Sequence, residues 1–91
     1  MELINGFIYK DKTLTKNNKE IKLTKMELNI LEVLCTTDKV TFEVLENTVW
    51  KGKNFSRAAV RNKIMSIRKK TCDELIKNNH NIWYMINKQE M

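Results

Sequence analysis

The sequence predicts an α+β fold in which short antiparallel strands open the chain, three helices form its core and a β-hairpin closes it. Three observations carry this expectation. The first 23 residues alternate apolar and polar side chains between turn signals. Three later segments space their apolar residues by three and four, the period of an amphipathic helix. The last segment, LIKNNHNIWYMI, sets two apolar runs about a polar Asn/His cluster, the pattern of a hairpin.

The elements follow in order. GFIY is a short apolar run after Gly6, and KDKTLTKNNKEIKL alternates about a turn at Asn17-Asn18, with Leu14, Ile21 and Leu23 facing inward. Two or three strands are expected within about residues 1–23. TKME at 24–27 is a capping box, in which Thr24 accepts from the Glu27 backbone N–H and the Glu27 carboxylate reaches back to the Thr24 N–H. Leu28, Leu31, Leu34 and Cys35 then give the apolar face of a helix over about 24–37, ended by TTDK. VTF at 40–42 is a very short extended segment. FEVLENTVW, with Val44, Leu45, Val49 and Trp50 suitably spaced, predicts a second helix over about 42–50, broken by KGKN. Ser56 is an N-cap for a third helix over about 56–72, and the hairpin spans about 75–87. A helix-turn-helix with a basic second helix, followed by a hairpin, is the winged helix-turn-helix arrangement. Periodicity assigns Leu28, Leu31, Leu34, Leu45, Val49, Trp50, Val60, Ile64, Ile67, Ile82 and Tyr84 to the core.

The third helix carries the functional signal. SRAAVRNKIMSIRKKT at 56–71 holds six basic residues and no acid. At about 100° per residue, Val60, Ile64, Ile67 and Thr71 lie within roughly 60° of one another and commit one side to the core. Ala58, Asn62, Met65, Ser66 and Lys69 project opposite. Arg57, Arg61 and Arg68 border that strip on one edge, and Lys63 and Lys70 border it on the other. Short or polar side chains flanked by cations suit a helix lying between two rows of phosphates. A plain solvated basic face is the competing interpretation.

Charge distribution favours the first. The net charge is +6, yet residues 1–46 carry seven Lys/Arg against eight Asp/Glu, and residues 47–91 carry ten against three. Six of those ten cations lie on the third helix. Such polarity points to a polyanionic partner meeting one face. A membrane surface fits poorly, because Met65 is the only sizeable apolar group on the outer face of that helix. No apolar run approaches transmembrane length and no signal peptide opens the chain, so a cytoplasmic protein is expected. Cys35 and Cys72 have no metal-ligand spacing and His80 stands alone, so neither a metal nor a cofactor is expected. Without a nucleophile–base–orienter set or a phosphate-cradling glycine loop, an enzyme is not expected.

Taken in sequence, these segments resemble a known family. IKLTKMELNILEVL is similar to the pattern v-x-LT-x-x-E-x-x-lL-x-x-L, LENTVW to L-x-x-x-vW, and V-x-x-x-I-x-x-I-R-x-K from Val60 to Lys70 to a recognition helix. With the hairpin that follows, they span residues 21 to 86 in the order found in the C-terminal DNA-binding (effector) domain of OmpR/PhoB-type response regulators, which the chain resembles. The resemblance implies a four-stranded N-terminal sheet, a three-helix core and a C-terminal wing. It also implies that residues 1–91 are a single DNA-binding domain, the output half of a larger protein whose receiver domain lies outside this chain. Sequence-specific binding of double-stranded DNA, controlling transcription through a helix in the major groove, is the implied function. A nonspecific RNA-binding or acidic-protein-binding module is the alternative.

The residues sort accordingly. Arg61, Asn62 and Ser66 are the expected base readers, since Asn can bond adenine and Arg guanine in bidentate fashion. Trp50, Arg57, Lys63, Arg68, Lys69 and Lys70 are expected at phosphates; Trp50 has core packing as its rival role, and Arg68 an internal acid. The resemblance places the loop Lys51, Gly52, Lys53, Asn54 and Phe55 at RNA polymerase, against a plain solvated turn. It also implies an operator of paired half-sites and dimerisation through the receiver. The family's wing motif R-G-x-G-Y reads HNIWY here, so His80 and Asn81 are the wing candidates. Trp83 occupies a glycine position, which implies a reshaped wing.

Overall fold

The computed structural model describes residues 1–79 and 82–89. Three strands open it: β1 (Phe7–Lys10), β2 (Thr13–Lys16) and β3 (Lys19–Glu20), antiparallel in that order. Both connections are two-residue turns with positive φ, Asp11-Lys12 at 52° and 57° and Asn17-Asn18 at 53° and 64°. This geometry matches the twist of a tight hairpin. Period-two alternation puts Phe7, Tyr9 and Leu14 inside and leaves Ile8 and Lys10 outside.

The implied fourth strand is reduced to bridges. Asn5 and Gly6, with φ of 60° and 84°, reverse the chain so that residues 1–3 run back along β1. Leu3 N–H donates to the Phe7 carbonyl and Tyr9 N–H to that of Met1, and only Glu2 pairs with Ile8. Leu3 pairs instead with Lys88, tying the two ends of the described chain together.

Helix α1 (Lys25–Thr36) starts at the Thr24–Glu27 capping box anticipated from sequence. It buries Ile30, Leu31, Leu34 and Cys35; Leu28 is only half-buried. Strand β4 (Val40–Thr41) leads into α2 (Phe42–Leu45), whose N-cap Thr41 accepts from the Val44 N–H at 3.2 Å. The second helix departs from the regular one expected over 42–50. Beyond Leu45 it widens into a π turn over Glu46–Trp50, closed by Lys51 in a left-handed conformation. A regular helix would set Trp50 roughly 140° round from Leu45. With the widened turn, both are buried.

Helix α3 (Arg57–Lys70) is capped by Ser56, which accepts from the Ala59 N–H at 3.0 Å. A short 3₁₀ turn (Asp73–Leu75) feeds the hairpin β5 (Ile76–Asn79) and β6 (Trp83–Ile86), and β4 completes this sheet in the order β4-β6-β5. Val60, Ile64 and Ile67 of α3 meet Ile30, Leu31 and Leu34 of α1 in one core with Leu75, Ile76, Tyr84 and Ile86. Ile82 is a correction: expected in the core, it is 59% exposed. By period two it shares a face with Tyr84 and Ile86, but it precedes the first ladder residue of β6 and has no layer to meet. The arrangement is a winged helix-turn-helix: an N-terminal antiparallel sheet, three helices and a C-terminal hairpin.

Candidate nucleic-acid interface

The core stripe of α3 holds the helix against the domain and decides what its other sides present. Arg57, Ala58, Arg61, Asn62, Met65, Lys69 and Lys70 are exposed, whereas Lys63, Ser66 and Arg68 are half-buried. The centre of the exposed strip therefore lies roughly 30° nearer Arg57 and Arg61 than the point opposite the core stripe. The cause lies in α1.

Glu27 is 1% exposed and supplies that cause. Its carboxylate accepts from the Thr24 N–H at 2.8 Å, the Ser66 hydroxyl at 2.5 Å and the Lys70 ammonium at 2.8 Å. Burial alone would raise its pKa, but the bonds from Lys70, Ser66 and Thr24 overcome that and bring it from 4.5 to about 2. A buried carboxylate with three donors is a satisfied one. It draws the Ser66 hydroxyl and the Lys70 ammonium toward α1, although the Lys70 side chain stays 38% exposed. Ser66, expected to read a base, points its hydroxyl inward in this structure, and Lys70, expected at a phosphate, is half of an ion pair.

Arg68 has the structural partner that was its rival role, though the partner is not an acid. Its guanidinium donates to the Ile76 carbonyl at 2.5 Å and to Asn78 Oδ1 at 3.3 Å, tying α3 to β5. Its Nε is buried without a hydrogen-bond partner among the described residues. Tyr84, beneath this edge, has its pKa raised by burial, an effect opposed by the Arg61 and Arg68 charges. Arg57 lies over the Phe42 ring at 4.9 Å, a cation–π contact that leaves the guanidinium exposed. Trp50 is 7% exposed and meets Phe55 edge to face at 5.8 Å, so most of its ring serves packing. Lys51, Gly52, Lys53 and Asn54 form an exposed loop between α2 and α3.

The wing candidates His80 and Asn81 lie outside the described residues. Trp83 opens β6, paired with Thr41 and Asn79, so the residue at a glycine position of the resembled wing motif sits in a ladder. Lys39 lies over its ring at 5.5 Å. Neither Lys39 nor the Glu27 anchor was identified as part of this surface from sequence, because both are brought to it by contacts remote along the chain. Among the described residues no group of three or more His, Cys, Asp or Glu could hold a metal ion, and no helix is long and apolar enough to cross a membrane.

No protein-family model matches the chain, and no curated protein is similar to it. Solved structures are similar in fold. The DNA-binding domain of Bacillus subtilis CssR superposes with a TM-score of 0.73 at 16% identity, over 88% of this chain and 98% of that one. The C-terminal domain of NsrR, a lantibiotic response regulator for nisin resistance, gives 0.71 at 23% identity, over 94% and 96%. A streptococcal redox sensor described as evolved from two-component response regulators gives 0.80 at 23% identity, over 98% of this chain. The present chain spans 42% of the length of that sensor. The chain thus has the winged-helix fold of response-regulator DNA-binding domains.

Proposed function

We propose that this chain is the output domain of an OmpR/PhoB-type response regulator and binds a specific double-stranded DNA sequence to control transcription. The observation that carries the proposal is the exposed face of α3. Arg57, Arg61, Asn62 and Lys69 are exposed along a helix fixed from behind by its core stripe, by Glu27 and by the Arg68 link to β5. A rigid helix bearing cations and an amide fits the major groove, where phosphate contacts give affinity and base-edge contacts give specificity.

Arg61 and Asn62 are the base readers in this proposal, and Arg57 and Lys69 the phosphate contacts. Lys63, half-buried, can still extend its ammonium to the backbone. Ser66, Arg68 and Lys70 hold the helix rather than the DNA. A lone recognition helix spans one half-site, so the operator carries paired half-sites and a receiver domain supplies dimerisation. The exposed loop 51–54 is the surface offered to RNA polymerase, and transcription control places the protein in the cytoplasm.

Selection of bound duplexes from a randomised pool at about 150 mM salt tests the proposal. The expected result is a short motif repeated at roughly 10–11 bp. Asn62→Ala should then weaken binding by about 1–3 kcal/mol and relax preference at one position. Binding with no enriched motif would favour the second interpretation, a nonspecific polyanion binder. The observation behind that alternative is the Trp83 substitution in the wing.

A further inference from the structure

We propose that Met65 is a specificity-determining residue that reads a thymine methyl group at the centre of the α3 contact. The inference rests on the DNA-binding function proposed above and deepens it. Four large apolar side chains among the described residues are exposed: Met1, Ile8, Met65 and Ile82. Met65 is the one on α3, 51% exposed, and it lies in the middle of the outward strip. Its neighbours at one helical turn are Arg61 and Asn62 before it and Arg68 and Lys69 after it.

The position decides what such a side chain can do. Arg57 on one side and Lys69 on the other would meet the two phosphate rows, so the residue between them meets base edges. A thioether is a weak acceptor and no donor, and gains little from a phosphate. The major-groove edge offers one apolar feature, the C5-methyl of thymine. An unbranched, polarisable side chain can fit against it without a demanding geometry. Asn62, three residues earlier on the same strip, can bond the adenine of an A·T pair. The two side chains together would favour an A·T-containing core in the half-site.

The test uses the selected operator with each thymine replaced, one at a time, by deoxyuridine, which removes the methyl and keeps every hydrogen bond. Binding of the 91-residue chain is expected to weaken about fourfold at one position, the worth of one buried methyl group. Met65→Ala, checked for folding by circular dichroism, should bind the thymine and deoxyuridine duplexes equally. Met65→Leu should retain the discrimination. Wild-type binding that is indifferent to every deoxyuridine overturns the assignment and leaves DNA recognition standing. So does a half-site without thymine, or a Met65→Ala variant with undiminished sensitivity. Failure to enrich any motif instead removes the DNA-binding proposal, and this assignment with it.

Discussion

Glu27→Gln is the perturbation with the largest expected effect outside the apolar core. The drop in the Glu27 pKa from 4.5 to about 2 corresponds to a preference of about 3 kcal/mol for the carboxylate in the folded state. Glutamine keeps the size of the side chain but offers one acceptor oxygen in place of two. Its amide N–H₂ must then face at least one of the donors now supplied by Thr24, Ser66 and Lys70. The variant should be less stable by about 3 kcal/mol near pH 7 in urea unfolding followed by tryptophan fluorescence. For a chain of this size that is a fall in Tm of about 12–24 °C. The sign of the pH dependence follows from a depressed carboxyl pKa. Stability from the carboxylate is complete above 4.5 and is lost as pH falls through about 2. The difference between the two proteins should therefore shrink to about 2 kcal/mol at pH 3.5 and below about 1 kcal/mol at pH 2.5. A gap under about 0.5 kcal/mol at pH 7 would refute the reasoning. A gap equally large at pH 2.5 would show that shape, not charge, is what glutamine loses.

Three other outcomes are expected. Ser66→Ala should lower stability by about 1 kcal/mol and leave operator affinity unchanged, while Asn62→Ala does the reverse; urea unfolding beside a binding titration separates them. Lys69→Ala should flatten the plot of log affinity against log salt by about 0.9, the value of one phosphate contact, whereas Lys70→Ala should leave the slope unchanged because its charge is spent on Glu27. Arg68→Met should cost about 1–3 kcal/mol and lower hydrogen-exchange protection in β5, because the Ile76 carbonyl loses a charged donor.

Much of the fold was legible in the sequence, and what was legible is local. The capping box at Thr24 and Glu27, the Ser56 cap, the Asn17-Asn18 turn and the helical stripes of α1 and α3 each depend on residues within a few positions of one another. The Asp11-Lys12 turn was not seen, because lysine gives no sign that it will adopt a φ of 57°. The widening at Glu46–Trp50 was not seen either, since burial of Trp50 imposes it and periodicity assumes a regular helix. The site was half legible. Sequence placed the cations and Ser66 on one helix, but the partner of Ser66 lies 39 residues away and that of Lys70 lies 43. No spacing rule reaches that far. Periodicity likewise put Ile82 on the inward face without showing where the core ends.

These long-range partners change what the charge of α3 means. Six cations on one helix suggest six phosphate contacts, but each has a distinct environment. Lys70 is paired with Glu27, Arg68 is bound to a backbone carbonyl, and Arg57 is braced on Phe42. Arg61 and Lys69 are exposed, and Lys63 is half-buried. Electrostatic affinity scales with phosphates neutralised, at a salt slope of about 0.9 each. Removing Lys70 and Arg68 from the count lowers the slope by about 2 and costs a single domain much of its nonspecific hold on DNA. What those two residues give in return is rigidity: one anchors the helix to α1, the other to the hairpin. A helix held at both edges keeps Arg61, Asn62 and Met65 in a fixed register, and base-edge bonds need such registration more than phosphate contacts do. Under the proposed function, the trade would weaken attachment to arbitrary duplex and preserve discrimination. Such a domain, if it binds DNA as proposed, would depend on a second half-site for its affinity.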